Sequence, residues 1–127
     1  MLRDAALKFT RDLNRTLTIQ SVSELAITIN GEPYARTIAV TPDEVFENWD
    51  PKPVADLDDS DFDILLQGAP EIILLGTGRS NVFPPRKLMF AFARLGVGLE
   101  CMDTAAAART FNVLAAEGRQ VAAVLYL

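Results

Sequence analysis

The sequence contains no histidine. That absence removes the side chain that titrates nearest neutrality, the commonest metal ligand and the usual partner of a serine or cysteine nucleophile. There is one cysteine, Cys101, so no disulfide closes within the chain, and a zinc site would have to be built from carboxylates. A reducing compartment fits so low a thiol content. No apolar run approaches the ~20 residues that cross a bilayer. The N-terminal stretch MLRDAALKFTRDLNR lacks the long apolar segment of a signal peptide, and Asp4 and Asp12 do not suit a mitochondrial transit peptide. It reads as a weakly amphipathic helix, an ordinary surface arm or docked first turn. These absences lead to the expectation of a cytoplasmic protein without membrane insertion, cofactor or metal.

What is present is ordinary for a globular protein. Half of the 127 residues are hydrophobic and 23% are charged. The length fits a single domain over residues 1–127, which buries roughly two thirds of its unfolded surface without help from cross-links. The net charge of −5 argues against nucleic acid and against general affinity for anionic membranes, leaving room only for a local basic patch.

Three alternating runs open the chain, Thr16–Ser21, Glu24–Asn30 and Tyr34–Val40. Leu17 and Ile19 share a face, as do Leu25, Ile27 and Ile29. Asn30-Gly31 is the preferred pair for a type I′ hairpin turn. The runs predict a small antiparallel meander with one covered face. Thr41-Pro42 ends it, and the spacing of Val45, Phe46 and Trp49 predicts a short helix over Asp43–Trp49. Pro51 and Pro53 stiffen a connector. Five aspartates follow between Asp56 and Asp63, but counted from Asp56 they miss the glycine and glutamate positions of a calcium loop. They read instead as helix-start carboxylates, with Ser60 capping and Asp63 three residues later.

From Glu71 the pattern becomes strand, helix, strand, helix, strand. Ile72–Leu75 is continuously apolar, as expected when both faces of a sheet are covered. Pro84–Leu95 is predicted helical, with Leu88, Phe92 and Leu95 facing inward beside Met89, and Gly96 stopping it. Val97–Met102 is a strand that holds Cys101 as a buried, unreactive thiol. Thr104 caps a helix lined by Ala107, Phe111 and Leu114, Gly118 ends it, and Val121–Leu125 is the last strand. Such alternation implies parallel crossovers and an α/β core.

The stretch EIILLGTGRSNVFPP, Glu71–Pro85, organises this half. A buried strand delivers the chain to a tight loop and then to a helix start, a frequent ligand position. The candidate binding residues are Gly76, Thr77, Gly78, Arg79, Ser80 and Asn81, with Arg86 and Lys87 in the first turn of the helix. The loop fails the dinucleotide fingerprint because Asn81 stands at the third glycine position, and it lacks the ending of a P-loop. Positive charges at a helix start are mildly unfavourable, so an anion or an acidic partner would relieve the conflict. Against a phosphate cradle, Pro84 and Pro85 have no N–H to donate. A plain tight turn with solvated charges remains open. Trp49 and Tyr34 could mark a partner surface, although core packing suits Trp49 better. Arg109 and Arg119 suit helix-end carbonyls or acidic side chains. No catalytic constellation can be assembled.

The segments LLGTG at Leu74–Gly78 and GLECMDTAAAARTFNVLAAEGRQVAAVL at Gly98–Leu125 closely resemble a widespread family of small domains of unknown function. ITINGEPY at Ile27–Tyr34 and VTPDEVFENW at Val40–Trp49 agree more loosely. The family includes bacterial and archaeal stand-alone proteins, an animal protein associated with adipogenesis and a mitochondrial assembly factor for respiratory complex I. The resemblance implies a three-layer α/β fold (β + α/β/α) with a mixed central sheet, the N-terminal meander being followed by β-α-β-α-β. It supplies no catalytic residues to carry over. Family members often have tyrosine where Phe111 stands. The expected function is a non-catalytic protein-interaction or assembly module, with an unidentified protein partner, no nucleic acid, and a monomer or weak homo-oligomer. The alternative is a small-molecule or anion-binding protein, or an enzyme, that uses the Gly76–Asn81 loop with carboxylate, lysine or tyrosine acid–base groups.

Overall fold

The computed structural model describes residues 17–127, and the helix expected over residues 1–15 lies outside them. Strands β1 (Ile19–Val22), β2 (Ile27–Ile29) and β3 (Glu32–Tyr34) form a three-stranded antiparallel sheet in that order. Asn30 and Gly31 have φ of 49° and 85° and set Ile29 opposite Glu32, the two-residue primed turn expected from Asn-Gly. Leu25 departs from the expected inward face and is 81% exposed. Ser23 turns the chain there, its hydroxyl accepting from the N–H groups of Leu25 and Ala26, so alternation begins only at Ile27.

The run Tyr34–Val40 is not one strand. It breaks after Tyr34, and β4 (Ile38–Val40) belongs to a second sheet. All three residues of β4 are buried because that sheet is covered on both faces. The helix expected over Asp43–Trp49 is also absent. Val45–Phe46 pairs antiparallel with β4 as β5, and the Thr41 hydroxyl accepts from the N–H groups of Asp43 and Glu44 to close the turn. Strand pairing overrides the helical spacing of Val45, Phe46 and Trp49.

The second sheet has the order β5-β4-β8-β6-β7, where β6 is Ile72–Gly76, β7 is Gly98–Met102 and β8 is Val121–Leu125. Strand β6 is parallel to both β7 and β8, while β4 is antiparallel to β8. The sheet is therefore mixed. Helices α1 (Asp63–Leu66), α2 (Arg86–Leu95) and α3 (Thr104–Ala116) pack against it. Gly96 and Gly118, with φ of 73° and 79°, end α2 and carry the chain out of α3.

Side-chain alternation builds two cores. On one face Leu74, Ala123, Leu125, Ile38 and Val40 pack with Ala107 and Phe111 of α3 and with Ile27 and Ile29 of the meander. On the other, Ile73, Leu75, Ala122 and Val124 pack with Leu88 and Phe92 of α2, Phe62 and Trp49. The rings of Trp49, Phe62 and Phe92 meet edge to face, with centroids 5.3 and 5.1 Å apart. Trp49 is thus a core residue. The result is the expected layering, with the meander and α3 on one side of the central sheet and α2 with the short helices on the other.

Two caps lie one or two residues from their predicted places. Asp58, not Ser60, caps the short helix Asp59–Phe62, in a reciprocal box with Asp61. The Ser60 hydroxyl donates to Asp58 and is the main reason the carboxyl is held below its usual range. Asp61 also takes the ammonium of Lys52 at 2.8 Å. Asp103, not Thr104, caps α3 by accepting from Ala106 N–H. Leu95 is 52% exposed rather than inward, since it sits in the last turn, beyond the edge of the core.

Candidate functional site

The loop after β6 is built from its glycines and two threonines. A Cβ on Gly76 would lie 2.9 Å from Thr104 Cα and 3.1 Å from Ala107 Cβ. The absent side chain lets α3 sit directly on the strand, so Gly76 is a packing residue and not a turn residue. Gly78, at φ 101° with open space around it, supplies the turn. Thr77 is buried, and its hydroxyl lies 2.7 Å from Ser80 O and accepts from Val82 N–H, folding Thr77–Val82 back on itself.

Thr104, at the start of α3, joins three segments. Its hydroxyl accepts from Gly78 N–H at 2.8 Å and donates to Tyr126 O at 2.7 Å. Its own N–H donates to Gly78 O at 2.8 Å. The helix start that meets the loop is therefore that of α3. Arg86 and Lys87 begin α2 on the opposite face of the sheet, and both are exposed.

An open cleft of about 410 Å³ lies at this junction. Of the predicted residues, Gly78 and Arg79 line it; Gly76 and Thr77 lie beneath it, while Ser80, Asn81, Arg86 and Lys87 are outside its lining. The remaining wall comes from Val22, Ser23 and Glu24 at the β1–β2 turn, from Asp103, Thr104 and Ala105 at the start of α3, and from Tyr126 and Leu127. The guanidinium of Arg79 lies 2.6 Å from the Glu24 carboxylate, with the two side chains 80% and 70% exposed. The Tyr126 phenol turns away and donates to Lys52 O, and burial raises its pKa.

Sequence reasoning missed Glu24, Asp103, Thr104 and Tyr126 as site residues. Asp103 and Thr104 carried a signal, two adjacent cap-forming residues, but only one of them is needed as the cap. Glu24 and Tyr126 carried none. It also missed Asn112, whose side-chain amide accepts from Ile19 N–H and donates to Ile19 O, both at 2.9 Å, so α3 pairs with β1 like a neighbouring strand.

Cys101 is half buried, and burial, followed by the nearby Glu100 charge, pushes its pKa up to about 11. The thiol is therefore unreactive at neutral pH, as expected. Arg119 bonds Glu71 at 3.2 Å. Phe111 is fully buried in the core beneath α3.

The polar groups of the cleft are thus largely engaged within the fold. Asp103 serves the helix cap, Thr104 bridges two backbone segments, and Arg79 has Glu24. No pair among them joins a nucleophile to a base.

The family described as "Protein of unknown function (DUF498/DUF598)" matches residues 19–126, which covers both halves that carried the resemblance. NADH dehydrogenase [ubiquinone] 1 alpha subcomplex assembly factor 3 of Rattus norvegicus is 31% identical over 84% of this chain and 58% of its own length. The 13 kDa major membrane protein of Francisella tularensis subsp. holarctica is 35% identical over 52% of this chain and 54% of its own length. The chain thus spans between half and two thirds of these relatives. A crystal structure of a protein from Bordetella parapertussis superposes with a TM-score of 0.81 at 33% identity, covering 90% of this chain and 98% of that one.

Proposed function

We propose, on the premise that the chain belongs to the DUF498/DUF598 family, that it is a non-catalytic interaction module that docks a protein partner at the Gly78–Arg79 cleft. The observation that carries this reading is the Arg79–Glu24 pair. It is well exposed, and such pairs contribute only ~0–1 kcal/mol, so a partner carboxylate can replace Glu24 on Arg79 at little cost. The clamp made by Thr104 holds the loop in place before binding, which limits the entropy lost on association. The relative named an assembly factor supports a role in bringing other proteins together.

The test is affinity capture from the native cell with the wild-type chain and with Arg79→Glu. A partner held by the wild-type chain and lost from the variant supports the reading. Capture that is indifferent to Arg79→Glu, or that recovers nothing, contradicts it. The cleft volume favours a second reading, a small anionic ligand on Arg79. An amide NMR titration with phosphate, nucleotides and common metabolites separates the two. Saturable shifts confined to the cleft residues move the small-ligand reading ahead.

A further inference from the structure

The charges of this chain are unevenly placed. Between Ile72 and Leu99 there is no aspartate or glutamate, yet the segment contains Arg79, Arg86, Lys87 and Arg94 in a chain of net charge −5. The same segment bears Val82, Phe83, Met89, Phe90 and Leu95, all large apolar side chains exposed to solvent. Phe83 is 78% exposed and Phe90 57%.

Helical geometry gathers the cations of α2 around Phe90 on one surface. Leu88, Ala91 and Phe92 face the core. Arg86, Phe90 and Arg94 are spaced four apart on the opposite side, and Lys87 is three residues from Phe90. Phe90 is thus set among three cations, and Phe83 stands immediately before the two prolines that lead into the helix. No ion pair among the described residues engages Arg86, Lys87 or Arg94.

We propose that this face of α2 is a peripheral docking surface for an anionic lipid bilayer, with Phe83 and Phe90 entering the headgroup–acyl boundary and Arg86, Lys87 and Arg94 at the level of the phosphates. Exposed aromatic side chains gain from an apolar medium that moulds itself to them, and the three cations complement a negative surface. This face lies across the central sheet from the Arg79 cleft, so the two sites stand or fall separately.

The experiment is co-sedimentation of the full chain with vesicles of phosphatidylcholine alone and of phosphatidylcholine with phosphatidylglycerol, at low and high salt. Binding is expected to the mixed vesicles only, and weaker at high salt. The variant Arg86→Gln/Lys87→Gln lowers the partition coefficient by ~30-fold, at about 1 kcal/mol per cation. Phe83→Ala and Phe90→Ala each lower it by about tenfold. All four side chains are exposed, and the fluorescence of the buried Trp49 verifies that each variant is folded. No binding to the mixed vesicles at low salt overturns the proposal and leaves the face to an acidic protein partner. Equal binding to both vesicle types, or binding indifferent to these substitutions, also overturns it.

Discussion

The hydroxyl of Thr104 holds the cleft together, and replacing it tests whether the site is built as described. Thr104→Val keeps the shape of the side chain and removes only the hydrogen-bonding oxygen. Thr104 is 2% exposed, so water does not easily take over its two partners, Gly78 N–H and Tyr126 O. Each bond contributes ~1 kcal/mol net, and a buried group left unpaired costs roughly 1–3 kcal/mol. The extra buried methyl returns about 0.8 kcal/mol. The expected loss is about 2–4 kcal/mol, which for a domain of this size lowers Tm by roughly 10 °C.

The assay is urea unfolding followed by the single tryptophan, Trp49, which is buried and reports loss of the core. The midpoint should fall with the slope unchanged. Thr104→Ser, which keeps the oxygen and loses the methyl, should cost about 1 kcal/mol. Amide exchange at Gly78 should accelerate in the valine variant and not in the serine variant. A loss below about 0.5 kcal/mol in Thr104→Val would refute the reasoning, because it would mean that both partners find water without penalty. Equal losses in the two variants would assign the effect to packing of the methyl instead.

Three further outcomes follow from the geometry. Gly76→Ala places a Cβ 2.9 Å from the backbone of Thr104 and should cost ~2–3 kcal/mol in urea unfolding, since the helix and not a flexible side chain has to move. Asn112→Leu removes both bonds to Ile19 and should cost about 2 kcal/mol while releasing the Ile19 amide to rapid exchange. Cys101, with its pKa pushed up to about 11, should be roughly one part in a thousand thiolate at pH 8 and react correspondingly slowly with iodoacetamide. Because the native state holds that proton more tightly than the unfolded chain, its contribution to stability is complete below the ordinary thiol pKa. It is lost as the pH rises from there towards about 11.

The second half of the fold was legible because each of its elements carries its own punctuation. Ile72–Leu75 is apolar on both sides, Gly96 and Gly118 mark helix ends, and the lengths between them leave room for little except crossovers. The first half was legible only where a turn fixes the register, as at Asn30-Gly31. Tyr34–Val40 keeps the period of a strand throughout, yet the chain changes sheets within it, and nothing local records which sheet each residue joins. Val45, Phe46 and Trp49 satisfy a helical spacing, but β4 needs a partner on its outer edge, and that requirement is set by residues distant in sequence.

The cleft was half legible for the same reason. Gly78 and Arg79 follow a buried strand and announce a loop. Gly76 was legible as special but for the wrong cause, because the contact that demands glycine comes from Thr104 and Ala107. The expected helix partner, α2, begins close by in sequence, but its N-terminus lies across the sheet. The helix start that meets the loop is reached only after β7, which delivers α3 to the other face.

The Arg79–Glu24 pair gives the proposed docking site its sharpest test, because stability and recognition must then separate. A double-mutant cycle with Arg79→Ala and Glu24→Ala should show a coupling of about 0.5 kcal/mol or less, as expected for side chains that are 80% and 70% exposed. The same Arg79 substitution should abolish partner capture, since the guanidinium would be the charge that a partner carboxylate seeks. If the coupling exceeded about 1.5 kcal/mol, the pair would be a structural fastening between the meander and the loop. Arg79 would then be too firmly held by Glu24 to exchange partners. A weak pair together with unchanged capture would equally remove Arg79 from recognition, and any docking would have to lie elsewhere on the domain.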